Sequence, residues 1–247
     1  ILLIDTRAED DRARGNLDRD EELILLDAIR ARPEANEIAV VRGVENAEIS
    51  SSLAEVMRDQ EISLEMLIVL SHGTSYADPK SGKIQPVIAN ESGKFILGPA
   101  LDSHVAAFFG PVVGRFSENA RIVFSGCRLL AGMTLDRRIE ALQDTAQAFG
   151  LASGEVFMNR TFGFNGFDTY FRENIWTQPL LPGFLQAGAL MTSPISAPLM
   201  YGLKWEVLNQ GYTLRIDGDH HSVYRDTLPN AFLGVMPSGG LVRRIAP

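Results

Sequence analysis

The amino-acid sequence predicts an α/β fold, a mostly parallel sheet with helices on both faces. Three observations point there. Short unbroken apolar runs recur along the chain, as at Ile1-Leu2-Leu3-Ile4 and Met66-Leu67-Ile68-Val69-Leu70, and parallel strands buried on both faces read in this way rather than as alternating patterns. Between the runs, apolar residues recur at three- and four-residue spacing, the mark of an amphipathic helix. The resulting β-α-β-α-β order implies parallel strands joined by helical crossovers. With no internal repeat, low-complexity tract or linker, residues 1–247 read as one domain, its core over about 1–160 and a covering segment with edge strands over 161–247.

The first strand occupies residues 1–4. A charged segment through Asp20 follows, and Leu23, Leu26 and Ile29 then share one face of a helix. Ile38-Ala39-Val40-Val41 gives the second strand, and Ile49, Leu53, Val56 and Met57 mark a second helix ahead of the strand at 66–70. Two short extended runs between 83 and 97 flank Asn90-Glu91-Ser92-Gly93 and form a hairpin or flap. Residues 101–113 read as helix and lead into the strand Arg121-Ile122-Val123-Phe124-Ser125. Leu135, Ile139, Leu142, Ala146 and Phe149 then recur at helical spacing, with Gly150 placed to cap the end. The chain returns through a fifth strand, Glu155-Val156-Phe157-Met158. From 165 to 198, Pro179, Pro182, Pro194 and Pro198 punctuate apolar and aromatic residues, a pattern of irregular covering structure. Residues 212–216 and 231–235 are later strands, antiparallel at the sheet edge.

Composition narrows the function classes. The net charge is −8 and the pI about 5.1, and lysine occurs only at 80, 83, 94 and 204. No polybasic face is present, so neither nucleic acid nor an anionic membrane surface is an expected partner. One cysteine excludes an intrachain disulfide and any multi-cysteine zinc site, and fits a reducing compartment. No apolar run reaches the roughly 18–20 residues of a membrane span. The chain begins at Ile1 inside a strand pattern and reads as a domain excised from a longer protein, its compartment unspecified.

The lone cysteine, Cys127, follows the strand at 121–125, and His72 follows the strand at 66–70. If these strands are parallel neighbours, a thiol and an imidazole emerge at the same sheet edge, where ligands bind in doubly wound sheets. A cysteine hydrolase needs this pairing: the thiolate is the nucleophile, and a nearby base holds or accepts its proton. The tetrahedral oxyanion needs preformed donors, for which the backbone amides of Gly73 and Cys127 are the candidates. Glycine at 73 and 126 permits close backbone approach. A lone strand-end cysteine is also a common core residue. An inactive binding module with Cys127 merely packed, and a cysteine hydrolase acting on a non-peptide substrate, are therefore alternatives to a peptidase.

The blocks Leu67-Ile68-Val69-Leu70-Ser71-His72-Gly73 and Ile122-Val123-Phe124-Ser125-Gly126-Cys127 resemble the two catalytic blocks of the caspase-like cysteine peptidases. His72 precedes Cys127 by about 55 residues, close to the ~50 of caspases. The Gly126-Cys127 pair is closer to separases and to the self-processing protease domains of bacterial toxins than to caspases proper. Ser125-Gly126-Cys127-Arg128 replaces the Gln-Ala-Cys of caspases, so cleavage after aspartate is not implied. The resemblance covers roughly residues 1–160. It implies a caspase-like three-layer sandwich, a His72–Cys127 dyad that cuts a protein or peptide substrate, self-processing of the parent chain, and no cofactor for the chemistry. The toxin domains are activated by an inositol phosphate, and the sparse lysines here argue against that ligand. The family builds its primary specificity pocket near the ends of the first strand, the cysteine strand and the following strand. The corresponding regions hold Asp5, Arg7, Asp10, Ser125 and Asp168. Acidic members favour a basic substrate residue, whereas Arg7 or Arg14 favours an acidic one; the acidic chain tilts the reading toward basic.

Other signals have simpler explanations. His220-His221 lies beside Asp217-Gly218-Asp219, which reads better as a hairpin turn than as part of a metal site. Gly82-Lys83 and Gly93-Lys94 lack the remaining residues of a phosphate loop. Asn90-Glu91-Ser92 and Asn159-Arg160-Thr161 match the glycosylation triplet.

Overall fold

The computed structural model describes residues 1–6, 37–59, 61–77, 82–90, 95–98, 100–126, 128–160, 210–227, 231 and 240–245. They form an α/β structure around a mixed sheet of eight strands in the order β11-β10-β9-β8-β7-β3-β1-β2. β2 (Ala39–Arg42), β1 (Leu2–Asp5), β3 (Leu64–Leu70), β7 (Phe116–Ser125) and β8 (Gly154–Asn159) run parallel. β9 (Gln210–Asp217), β10 (His220–Thr227) and β11 (Leu241–Ile245) extend the sheet antiparallel beyond β8. A second, three-stranded antiparallel sheet contains β4 (His72–Ala77), β5 (Ile84–Ala89) and β6 (Phe95–Leu97).

Three helices are described: α1 (Asn46–Val56), α2 (Leu101–Phe109) and α3 (Leu135–Ala148). All three deliver their apolar residues to one core cluster, against Leu2, Ile4, Leu67, Val69, Ile122, Phe124, Val156 and Met158 of the sheet. Phe149 lies at its centre, 5.0 Å from Phe109 and 5.9 Å from Phe124 between ring centroids. The alternate strand residues Leu3, Met66, Ile68, Leu70, Val123 and Phe157 form a second cluster on the opposite face, as the two-residue strand period requires. None of the described helices is long and apolar enough to cross a membrane.

The expected strands and helices recur with shifted ends. β7 starts at Phe116, ahead of the expected 121–125, and the partly exposed Phe116–Asn119 stretch carries no apolar run that would mark it in the sequence. Gly150 caps α3 as expected, at φ +68°, and Leu151 donates its N–H to the Ala146 carbonyl. The Asp217–His220 connection is the expected hairpin turn, with Gly218 at φ +56°. Ala231 is helical rather than extended, and 232–235 lie outside the described residues; short apolar runs do not separate strand from buried helix. The expected helix at Leu23, Leu26 and Ile29 and the covering segment 165–198 also lie outside them.

Polar residues sit within the sheet where partners satisfy them. Glu155 on β8 binds Arg121 of β7 at 2.7 Å and Arg215 of β9 at 2.5 Å, an ion row across three strands. Arg115 donates to the carbonyls of Met57, Asp59 and Ile62, which lie between α1 and β3. Thr213 donates to the buried carboxylate of Asp226 at 2.6 Å.

One carboxylate is held at a disadvantage. Asp144 of α3 lines a cleft of about 160 Å³ beside β5, with Lys83, Gln85, Leu101 and Arg137. Burial raises its pKa above the usual 3.8, Glu140 and Asp102 push it the same way, and Arg137 and Lys83 only partly offset them. The folded state therefore binds this proton more tightly than the unfolded chain, and its contribution to stability is lost as pH rises through the raised pKa. Asp144→Asn is expected to raise Tm on the order of 1 °C at neutral pH. The difference should vanish below about pH 3, where the carboxyl is protonated in both states, and thermal melts of both proteins across pH 3–8 measure it.

Candidate active site

The site lies at the carboxyl edge of the parallel strands. β2 lies on one side of β1 and β3 on the other, so strand order reverses there, at the crevice where doubly wound sheets take ligands. The strand ends are level. Asp5 pairs in register with Leu70, and Leu70 with Ser125. Backbone bonds carry the alignment one residue further: Thr6 N–H donates to the Leu70 carbonyl at 3.0 Å and Ser71 N–H to the Ser125 carbonyl at 3.3 Å.

β3 and β7 are thus parallel neighbours, and His72 and Cys127 each follow two residues after a register pair, Leu70 and Ser125. Cys127 itself lies outside the described residues, whereas its chain neighbours Gly126 and Arg128 are described. His72 is exposed and opens β4 of the small sheet, where it pairs with Ala89. Gly73 brings this strand hard against the loop after β7. A methyl group added to Gly73 would lie 3.0 Å from Gly126 Cα and 2.6 Å from Leu129 Cδ2, so only glycine fits without displacing backbone.

The turn after residue 127 is fixed at several points. Arg128 adopts the left-handed region at φ 55°, uncommon for a non-glycine residue and costing on the order of 1–3 kcal/mol. Ala131 N–H closes the turn on the Arg128 carbonyl, and Leu130 N–H donates to the Asn159 carbonyl, both at 3.0 Å. Arg138 of α3 donates to the Leu130 carbonyl at 3.2 Å and to the Tyr212 hydroxyl at 3.0 Å. Its guanidinium carbon is 5.2 Å from the Tyr212 ring centroid, within cation–π range. Leu129 and Leu130 are fully buried. These contacts at residues 128–131 offset the strain at Arg128.

Among the expected pocket residues, Asp5 and Ser125 are buried in one register row, and Asp168 lies outside the described residues. Asn159 joins that row. Phe124 pairs with Met158, which sets Asn159 level with Ser125 on the next strand. Its side chain is fully buried, and neither its Nδ2 nor its Oδ1 has a hydrogen-bond partner among the described residues, a cost of about 1–3 kcal/mol where such a group stays unpaired. Ser71 Oγ is likewise buried and unpartnered. The sequence marks neither, because an unpaired buried amide is a property of the fold. Burial also removes both glycosylation triplets from use, since Asn90 is 3% exposed and donates to Asn46 at 2.6 Å. His221, the second residue of β10, has its Nδ1 3.4 Å from Gln143 Nε2.

No protein-family model matches the chain, and no curated protein matches it.

The Gly73 contact sets two glycines apart. Gly73→Ala should cost about 2 kcal/mol, because the new methyl meets Gly126 backbone. Gly126→Ala should cost about half as much, because the atoms nearest its methyl, at 3.1–3.3 Å, belong to the Leu129 side chain and not to backbone. Urea denaturation of the two variants checks the order.

Proposed function

We propose that the chain is a cysteine endopeptidase of caspase-like, three-layer architecture, with helices covering both faces of its sheet. Cys127 is the nucleophile, and His72 the base and acid. The reading is supported above all by the close approach of Gly73 to Gly126, which brings the strand that begins at His72 against the residue preceding Cys127. The in-register pairing of Leu70 with Ser125 adds to it, because neighbouring strands lie only ~4.8 Å apart.

The chemistry follows from the residue types. His72 takes the thiol proton, and the thiolate attacks the peptide carbonyl carbon. The resulting oxyanion accepts hydrogen bonds from the amides of Gly73 and Cys127, donors worth about 3 kcal/mol each at such sites. Protonated His72 then gives its proton to the leaving amine, and the C–N bond breaks to leave a thioester. Water, deprotonated by His72, releases the acid and restores the thiol. No cofactor enters these steps. The substrate is a protein or peptide, the parent chain among them.

Cys127→Ala should abolish cleavage of a peptide library with varied residues before the scissile bond, and His72→Ala should reduce kcat by about 10²–10⁴-fold. Iodoacetamide should alkylate Cys127 near pH 7 faster than a model thiol with pKa ~8.5, and His72→Ala should remove the advantage. Alkylation at the model-thiol rate would sink the enzyme reading in favour of an inactive binding module. A reactive thiol without peptide cleavage would favour a non-peptide substrate.

A further inference from the structure

The outer strand of a sheet offers unpaired backbone groups, and native proteins guard such edges with charge, brevity, proline or bulges. Three of the four edges among the described residues are guarded. β2 has four residues and ends in Arg42. β11 carries Arg243 and Arg244, and β10 pairs with it through a register shift. β6 has only three residues, again with a register shift against β5. β4 has none of these devices. Its six residues, His72-Gly73-Thr74-Ser75-Tyr76-Ala77, include no lysine, arginine, carboxylate or proline, and they pair with β5 without a shift. None of the six is buried, so a further chain can reach this edge.

The strand opposite fixes which backbone groups are offered. Pro86 of β5 pairs with Ser75 and has no N–H to donate, so this is a non-hydrogen-bonded pair. The ladder therefore runs through His72 with Ala89, Thr74 with Val87 and Tyr76 with Gln85. The residues between them, Gly73, Ser75 and Ala77, turn both N–H and C=O to the outer edge. The Ser75 carbonyl accepts from Thr74 Oγ1 at 3.3 Å, which leaves it a second lone pair. Gly73 is also the residue whose amide receives the oxyanion in the proposed mechanism. The open edge thus begins at the reacting carbonyl and leads away from it.

We infer that β4 takes up the substrate as an added strand, an extended polypeptide segment whose alternate residues bond Gly73, Ser75 and Ala77 through the main chain. This rests on the peptidase reading. Gly73 to Ala77 spans four residues, ~13 Å at strand rise, which matches about five extended substrate residues on one side of the scissile bond. A helix does not fit, because its amides are already bonded to its own carbonyls. Pairing of two copies of this chain through β4 would consume the Gly73 amide of both, the donor that the chemistry needs.

The test uses the whole chain as Cys127→Ala, panned against an immobilised library of random decapeptides. The tightest binder is resynthesised with one N-methyl group at each position in turn and titrated by calorimetry. Methylation should weaken binding about 10-fold at alternate residues on one side of the peptide and leave the residues between them little changed. Ser75→Pro in the same background removes an outward N–H and no ladder bond, and should weaken the unmethylated peptide about 10-fold with Tm unchanged. If Ser75→Pro lowers Tm, the methylation pattern, which leaves the protein untouched, decides. Absence of a binder, binding without alternation, or binding indifferent to a folded Ser75→Pro overturns the inference. So does a dimer in solution that Ser75→Pro splits, which would assign the edge to a second copy. Wild-type cleavage separates the two readings. Alternating binding of a peptide that the wild type leaves uncut upholds the added strand and overturns the peptidase, whereas cleavage of the library without alternation does the reverse. Neither binding nor cleavage overturns both.

Discussion

The pairing of β3 with β7 is the constraint on which the rest depends. Both strands are central, with apolar residues from Met66 to Leu70 and from Ile122 to Phe124. Because side chains alternate between faces, a slip of one residue would exchange the two core clusters, transferring Val69 and Phe124 to the face of Ile68 and Val123. The aromatic packing around Phe149 would be lost with it. One register is therefore strongly favoured, and it brings the ends of both strands to the same level. Everything beyond Leu70 and Ser125 inherits its position from apolar packing that involves no reactive group.

Polarity is distributed along the sheet in a way that separates stability from chemistry. Near the amino end of β8, Glu155 is paired with both Arg121 and Arg215. The middle of the same face is apolar through Val123 and Phe157. At the carboxyl end, the Asn159 side chain has no hydrogen-bond partner among the described residues, and Arg128 is held in an unfavourable backbone region. Paired charge thus lies toward one end of this face, and backbone strain beside the other.

Legibility in the sequence followed burial. β1, β3 and β8 were readable because burial on both sides leaves an uninterrupted apolar run, and α3 because Ile139, Leu142 and Ala146 repeat at helical spacing. β4 escaped notice since His72-Gly73-Thr74-Ser75-Tyr76-Ala77 is largely exposed and has no apolar period. β11 is an exposed edge strand and was missed for the same reason. At the site, His72, Gly73 and Ser125 could be placed from their position after apolar runs. Asn159, Ser71 and Arg138 could not: their significance lies in what they touch or fail to touch, and contacts between residues such as Arg138 and Tyr212, far apart in the chain, leave no local pattern.

The junction at Ser71 has a mechanical consequence. The residues before it belong to the large sheet and those from His72 onward to the small one. The small sheet is itself anchored: Ile88, Ile96 and Leu97 enter the main core cluster, and Asn46 of α1 donates to the Phe95 carbonyl at 3.2 Å. Gly73 adds a contact with Gly126 at the near end. His72 therefore sits where two sheets clamp one short stretch of backbone, so its main chain is located from both directions although its side chain is exposed.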